Sequence, residues 1–253
     1  MNAAIRIALA LGAVALAGAA LAQPDPLGSA RWEDMNKAFF AGTRVEFDPR
    51  VRVTAPTVAE NPLNVPVRVD ASELKGVEEV LVIADFNPIV KALSFQPARA
   101  LPSLAFRLKL QQSTPVRAAA RTADGVWHLG GTWVDTAGGG CTQPSTGSTS
   151  PLWQQHLNQV SARRWQSSLG ERLRFSVVHP MDTGLAAGIP AFHLEDLLLA
   201  DAEGRALMHI QPFEPVAENP LFSIDLPAED KPGPIRISGR DNNGNLVDAW
   251  VGR

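Results

Sequence analysis

The chain has 253 residues, with 23 Lys and Arg against 26 Asp and Glu, a formal charge of -3, and a single cysteine. Nothing in that balance suggests nucleic-acid binding, one cysteine rules out a disulfide within the chain, and the length accommodates two domains of about 100 residues each.

The chain opens as an export signal. Met1 to Arg6 is weakly basic, Ile7 to Leu16 is apolar, and Ala20-Leu21-Ala22 is a small-x-small cleavage site before Gln23. The apolar run is short for a bilayer and ends at the cleavage pattern, so a secretory signal over residues 1–22, removed on export to the periplasm, is expected rather than an anchor. No later apolar run is long enough to span a membrane.

Ser29 to Gly42 reads as a short helix, with Trp32, Met35 and Phe39 on one face, Ser29 as its cap and Gly42 at its end. Such a helix should pack on the outside of the first sheet. From Arg44 the period changes to two: 44–47, 51–53, 65–70 and 104–110 alternate, and 79–85 is a continuous apolar run suited to a sandwich centre. Asp124-Gly125 separates 116–122 from 126–134 as a hairpin turn. Short strands with Pro, Gly and Asn turns indicate an all-β sandwich ending near Thr136.

Next comes Ala137-Gly138-Gly139-Gly140-Cys141 and a Ser/Thr/Gly/Pro run to Pro151. That composition buries no apolar surface, so the expectation is a mobile, solvated loop with an exposed, reactive thiol. An unpaired cysteine in an oxidising compartment implies an external partner or a deliberately free thiol. Cys141 lies four residues beyond Ala137, which sets its reach from that anchor at roughly 14 Å.

Leu152 to Leu169 fits a short helix or an extended crossover equally well. A second β pattern then runs through 172–178, 194–199, 206–210, 222–226, 235–238 and 246–251, with Asn243-Gly244 as a hairpin turn. Val58-Ala59-Glu60-Asn61-Pro62-Leu63 recurs as Val216-Ala217-Glu218-Asn219-Pro220-Leu221. Both copies read as turns before a strand and suggest two related modules.

Other chemistries fit less well. Blue-copper ligation needs His, Cys and usually Met close together, and the nearest partners downstream of Cys141 are His156 and Met181, at spacings of 15 and 40. His179, His193 and His209 are flanked by apolar residues and read as sheet-face or turn histidines, so no metal site is expected. A cysteine hydrolase needs a fixed nucleophile beside a base, which a glycine arm does not provide. A non-catalytic immunoglobulin-like adaptor that binds a periplasmic dehydrogenase remains open, although it has no need of the thiol.

On its motifs the chain resembles a fusion of SoxY and SoxZ, the halves of the periplasmic sulfur carrier, and in particular the fused SoxYZ-like carriers associated with quinoprotein dehydrogenases. The SoxY side rests on Gly139-Gly140-Cys141 after a β domain and on Asp85-Phe86-Asn87-Pro88. The SoxZ side rests on His179-Pro180-Met181-Asp182-Thr183-Gly184, Pro190-Ala191-Phe192 and Glu218-Asn219-Pro220. The resemblance implies two immunoglobulin-like β-sandwiches: a SoxY-like one with the N-terminal helix over 23–137, a carrier loop over 138–151 and a SoxZ-like one over 152–253. It also implies a carrier, not an enzyme: Cys141 holds a sulfur intermediate as a covalent thioconjugate on an arm of Gly138, Gly139 and Gly140, without other cofactors. Sulfur-oxidation enzymes or a quinoprotein dehydrogenase system would be the partners. The chain departs from the SoxY pattern after the thiol, where Thr142-Gln143 replaces trailing glycines and the arm continues into a second domain.

Overall fold

The structure is a computed structural model that describes residues 24–146, 151–228 and 233–252. The signal-peptide segment lies outside the described residues. One helix, α1 (Trp32–Phe40), precedes nine strands: β1 (Val45–Phe47), β2 (Arg52–Thr54), β3 (Val58–Ala59), β4 (Val65–Asp70), β5 (Val77–Ala84), β6 (Lys91–Gln96), β7 (Ser103–Leu108), β8 (Thr114–Thr122) and β9 (Trp127–Thr136). A six-residue helix α2 (Pro151–His156) leads into nine more: β10 (Val160–Ser167), β11 (Gly170–Val177), β12 (Asp182–Thr183), β13 (Ala191–Phe192), β14 (Leu194–Ala200), β15 (Ala206–Pro212), β16 (Leu221–Pro227), β17 (Ile235–Asp241) and β18 (Leu246–Val251). The fold is thus mostly β with sandwich-like sheets. The ambiguous 152–169 stretch holds both a helix and a strand.

Local chemistry explains most boundaries. Asp124-Gly125 and Asn243-Gly244 turn the β8–β9 and β17–β18 hairpins, with Gly125 at φ 81° and Gly244 at φ 84°. The helix is shorter than its sequence signals: Arg31 is its N-cap without a side-chain cap bond and Ala41 its C-cap, while Ser29 belongs to the preceding turn, its carbonyl accepting from Trp32 N at 3.1 Å and its hydroxyl from Arg31 N. Met35 and Phe40 bury against Leu81, Ile83, Trp127 and Leu129, on the outer face of the sheet, while Trp32 and Phe39 of the expected face are only partly buried beside them. The segment ahead of the helix is tied down by Arg117, which is 2% exposed and forks onto Asp85 and Asp25 while stacking 4.6 Å from Trp32.

The expectation of two separate sandwiches packed together requires correction, because both sheets run unbroken through both halves. One sheet has the order β1-β9-β8-β5-β6-β15-β14-β17-β18, with β3 also paired to β9, and the other has the order β10-β11-β16-β7-β4-β2. The seam is antiparallel pairing of β6 with β15, Phe95 facing Ile210, and of β7 with β16, Leu104 facing Ile224. Alternation shows that these strands have one buried face, but it says nothing about which edges remain open. Here the open edges of each half satisfy the other's backbone groups. The halves share strand order, so β6 corresponds to β15 and β7 to β16. The repeated hexapeptide is not at equivalent places, since it precedes β4 in one half and β16 in the other. Its role is the same in both: Pro62 O accepts from Leu110 N, and Pro220 O accepts from Val177 N, each turn capping the end of a neighbouring strand.

One apolar core lies between the sheets and crosses the seam, joining Val67, Phe95 and Phe106 to Phe175, Ile210, Phe222 and Ile224. Truncating Ile224 to Ala should therefore cost about 2–5 kcal/mol. It should also lower the stability of both halves together in a single urea transition, read by tryptophan fluorescence and far-UV circular dichroism. Two separated transitions would show halves that fold independently.

Candidate functional site

The end of the sandwich beyond β7 holds the site. Leaving β7, the chain passes Lys109, Leu110 and Gln111 without joining another strand, and three partners satisfy its backbone. Lys109 N donates to Pro215 O at 2.7 Å, Leu110 N to Pro62 O at 2.8 Å, and Gln111 N to Asn87 Oδ1 at 2.9 Å. Asn87 also donates from Nδ2 to Lys109 O at 2.9 Å, so this buried amide clamps the segment on both sides.

The glycine arm lies against that segment. Gly139 N donates to Gln111 O and Gly140 N to Leu110 O. Gly138 and Gly139 both have φ 85°. A Cβ on Gly140 would sit 2.2 Å from Pro62 O and 2.8 Å from Leu110 O. Gly138 and Gly140 thus permit close approach to the backbone, and Gly138 and Gly139 the positive φ.

Cys141 is consequently not the exposed thiol expected from its neighbours. It is fully buried and free. Its Sγ donates to Lys109 O at 3.7 Å, its N donates to Gln111 Oε1 at 3.2 Å, and its carbonyl accepts from Thr183 Oγ1 at 2.6 Å. Composition misled because the loop carries no apolar cover of its own; the second half supplies the cover. Ser145 donates from N and Oγ to the buried carboxylate of Asp182, at 2.9 and 3.2 Å. Thr146 donates from N and Oγ1 to Glu218 Oε2, at 2.9 and 2.8 Å.

Lys109, 3% exposed, extends beneath the arm and donates to Met181 O. Burial pushes its pKa down to about 8, against the opposing pull of Asp182, Cys141, Glu218 and Glu214. Burial likewise pushes the Cys141 thiol up to about 11, with Lys109 pulling it back. At neutral pH the thiol is therefore protonated and weakly nucleophilic while the loop is closed.

The turn that supplies Met181, Asp182 and Thr183 is itself pinned. Met181 has φ 53°, His179 Nδ1 accepts from Met181 N at 3.1 Å, and His179 N donates to Asn219 Oδ1 at 3.2 Å. The His179 ring packs edge-on to Phe192, 4.5 Å away, and burial holds its pKa well below the ordinary value. His179 is thus a buried turn residue. His209 pairs with Asp196, and His156 contacts Gln159. Among the described residues no group of three His, Cys, Asp or Glu could hold a metal ion.

Residues from each motif that carries the resemblance meet here: Asn87 clamps Lys109, the 179–184 turn takes Lys109, Ser145 and Cys141, Phe192 backs His179, and Glu218 and Asn219 hold the loop and the turn. The residues missed were Lys109 and Gln111. Lys109 had a weak signal, a lysine ending an alternating strand whose neighbours are apolar.

The geometry defines a β-sandwich protein with one sequestered thiol at the junction of two modules. Residues 36–141 match the sequence model of the family described as sulfur oxidation protein SoxY, and the match stops at Cys141. Among solved structures the chain is similar to the sulfur carrier protein SoxY from Chlorobium limicola f thiosulfatophilum, with 19% identity over 42% of this chain and 96% of that one, at a TM-score of 0.37. No curated protein sequence matches the chain.

Two outcomes follow from the packing. Gly140→Ala should displace the arm from Pro62 and Leu110 and speed native alkylation of Cys141. An unchanged rate would mean that the glycine serves mobility alone. The second concerns pH. Lys109 has its pKa lowered from 10.5 to about 8, so between those values the unfolded chain holds more protons, and stability rises with pH by up to about 1.4 kcal/mol per unit. Cys141 acts oppositely from 9.0 to about 11, its contribution being lost as pH rises through that window. In Lys109→Met the rise of the urea midpoint from about pH 8 to about 9 should vanish; a rise that persists would assign it to another group.

Proposed function

We propose that the protein is a periplasmic carrier, not an enzyme, that holds a sulfur intermediate as a covalent thioconjugate on Cys141 for processing by partner enzymes. The observation that carries this reading is the SoxY match ending at Cys141, the only thiol in the chain, in a cradle to which both modules contribute. Gly138, Gly139 and Gly140 fit the arm against that cradle, and the 1–22 segment would deliver the chain to the periplasm. Joining Cys141 to a second thiol-level sulfur forms one S–S bond, with two protons passing to solvent and two electrons to an oxidised redox cofactor that the loading enzyme would have to carry. Sulfur-oxidation enzymes or a quinoprotein dehydrogenase system fit as partners, with the SoxZ-like half over 152–253 completing the site.

A buried, protonated thiol is a resting state. Loading needs the loop to leave Asp182 and Glu218, whose bonds to Ser145 and Thr146 form a latch from the second module. Opening disrupts no pairing between strands, although it must also release the Thr183 hydroxyl from the Cys141 carbonyl. It returns Cys141 to solvent and toward an ordinary thiol pKa. The same burial favours a second reading, in which Cys141 is structural and the protein is a non-catalytic immunoglobulin-like adaptor for a periplasmic dehydrogenase.

Intact mass of protein taken from its native cell envelope separates the two. The carrier reading expects a reductant-labile mass increase confined to Cys141 and absent in Cys141→Ser. Asp182→Asn with Glu218→Gln should raise native alkylation of Cys141 about tenfold or more, since hydrogen bonds to charged groups contribute about 1.5–3 kcal/mol each. A thiol that labels only in denaturant, never carries an adduct, and whose replacement by Ser lowers stability sharply would establish the adaptor.

A further inference from the structure

We propose that the outer face of the six-stranded sheet is a docking groove for an extended acidic segment of a partner protein, with apolar side chains between its carboxylates. The groove follows from register. Arg163 of β10 faces Arg174 of β11, Arg174 faces Ser223 of β16, Ser223 faces Ala105 of β7, and Ala105 faces Arg68 of β4. These five residues form one row across the strands, on the face opposite the core. Ser223 and Ala105 are small and sit at the seam, so the row dips in the middle. On one side of it rise Pro66, Arg107 and Leu221, and at the far end Trp165 stands 39% exposed.

The groove has two adjoining stretches, of 520 and 410 Å³, that share Arg174 and Leu221. No carboxylate is among the described residues lining either stretch. Asp225 and Asp70, two residues from Ser223 and Arg68 on the same strands, are already committed: Asp225 to Arg68 and Arg172 at 3.0 and 2.7 Å, and Asp70 to Arg68 at 3.6 Å. Arg107, Arg163 and Arg174 have no carboxylate partner among the described residues. Arg174 donates to Ser223 Oγ and lies 5.8 Å from the Trp165 ring, which orients it along the groove. In a chain of net charge -3 this is a segregated positive strip.

Two features identify the occupant. Like charges directly opposite on neighbouring strands destabilise a sheet, and Arg163 against Arg174 is such a pair with no carboxylate partner among the described residues. Carboxylates laid between them, taken up in the forked geometry that guanidinium groups favour, would relieve it. The walls are apolar, and exposed Arg and Trp together are the composition of interface centres. Arg163 to Arg68 spans four strand spacings, roughly 19 Å, which an extended segment of about six residues matches at about 3.3 Å each. The groove crosses the seam, so it exists only when the two modules are joined. Its Arg107 side lies two residues from Lys109, at the end of the sandwich where Cys141 sits. A docked partner would therefore be held beside the thiol cradle. The recognition itself does not depend on the carrier reading.

The test uses the full chain and a fluorescein-labelled peptide of about eight residues alternating glutamate and leucine, followed by anisotropy at low salt. Saturable binding that quenches tryptophan fluorescence, weakens as salt rises, and falls at least tenfold in the Arg107→Glu, Arg163→Glu double variant is expected. Neither arginine's side chain makes a hydrogen bond or ion pair among the described residues, so the variant should fold and melt no lower than the native protein, the substitution at 163 also removing the like-charge pair. Cys141→Ser should bind the peptide unchanged, which keeps this result separate from that for cargo. Binding left intact by the double variant would overturn the proposal. So would equal binding of a lysine–leucine peptide, displacement by sulfate beyond its ionic-strength effect, equally tight binding of a single-stranded oligonucleotide, or self-association that occludes the groove.

Discussion

The pairing of β6 with β15 and of β7 with β16 is the constraint on which the rest depends. It makes two sheets out of what could have been four, and it carries a single core from one half into the other. It also fixes where the second half's turns lie. With β16 beside β7, residues 215–219 run next to Arg107, Leu108 and Lys109, and the 179–184 turn falls over the end of β7. Without that register, Cys141 would have no Thr183 on its carbonyl, and Lys109 would have no Met181 carbonyl to hold it.

Burying Lys109 and Cys141 together sets up an electrostatic arrangement neither would have alone. A low-dielectric site disfavours both the ammonium and the thiolate, so each is pushed toward its neutral form. Yet each favours the charged state of the other. The closed site therefore keeps a protonated thiol, slow toward oxidants, with a potential cation already in place beside it. An anionic sulfur species on Cys141 would find that cation, and the carboxylates of Asp182 and Glu218 that now face the loop would become unfavourable neighbours.

The sequence carried more of the fold than of the site. Period-two alternation, the two Gly turns and the amphipathic helix were legible because each depends on neighbours within a few residues. The seam was not, since nothing local marks β6 or β15 as an edge awaiting a partner. The same limit explains Cys141. Gly-Gly-Gly before it and Ser/Thr after it read as an exposed arm because local composition offers no cover, whereas its cover comes from residues about 40 positions further on, at Asp182 and Thr183. The motifs themselves were informative without their geometry: Asn87, Asp182, Thr183 and Glu218 all stood in stretches set apart by the sequence, and all meet at one end of the sandwich.

The seam has a consequence in mass action. Were the two modules separate chains, the cover over Cys141 would persist only above their dissociation constant, and dilution would uncover the thiol. Carried on one polypeptide, each module sees the other at a fixed local concentration set by the connection, whatever the amount of protein present. The state of the thiol is thereby uncoupled from expression level, and whatever uncovers it must act on the latch rather than on the partnership.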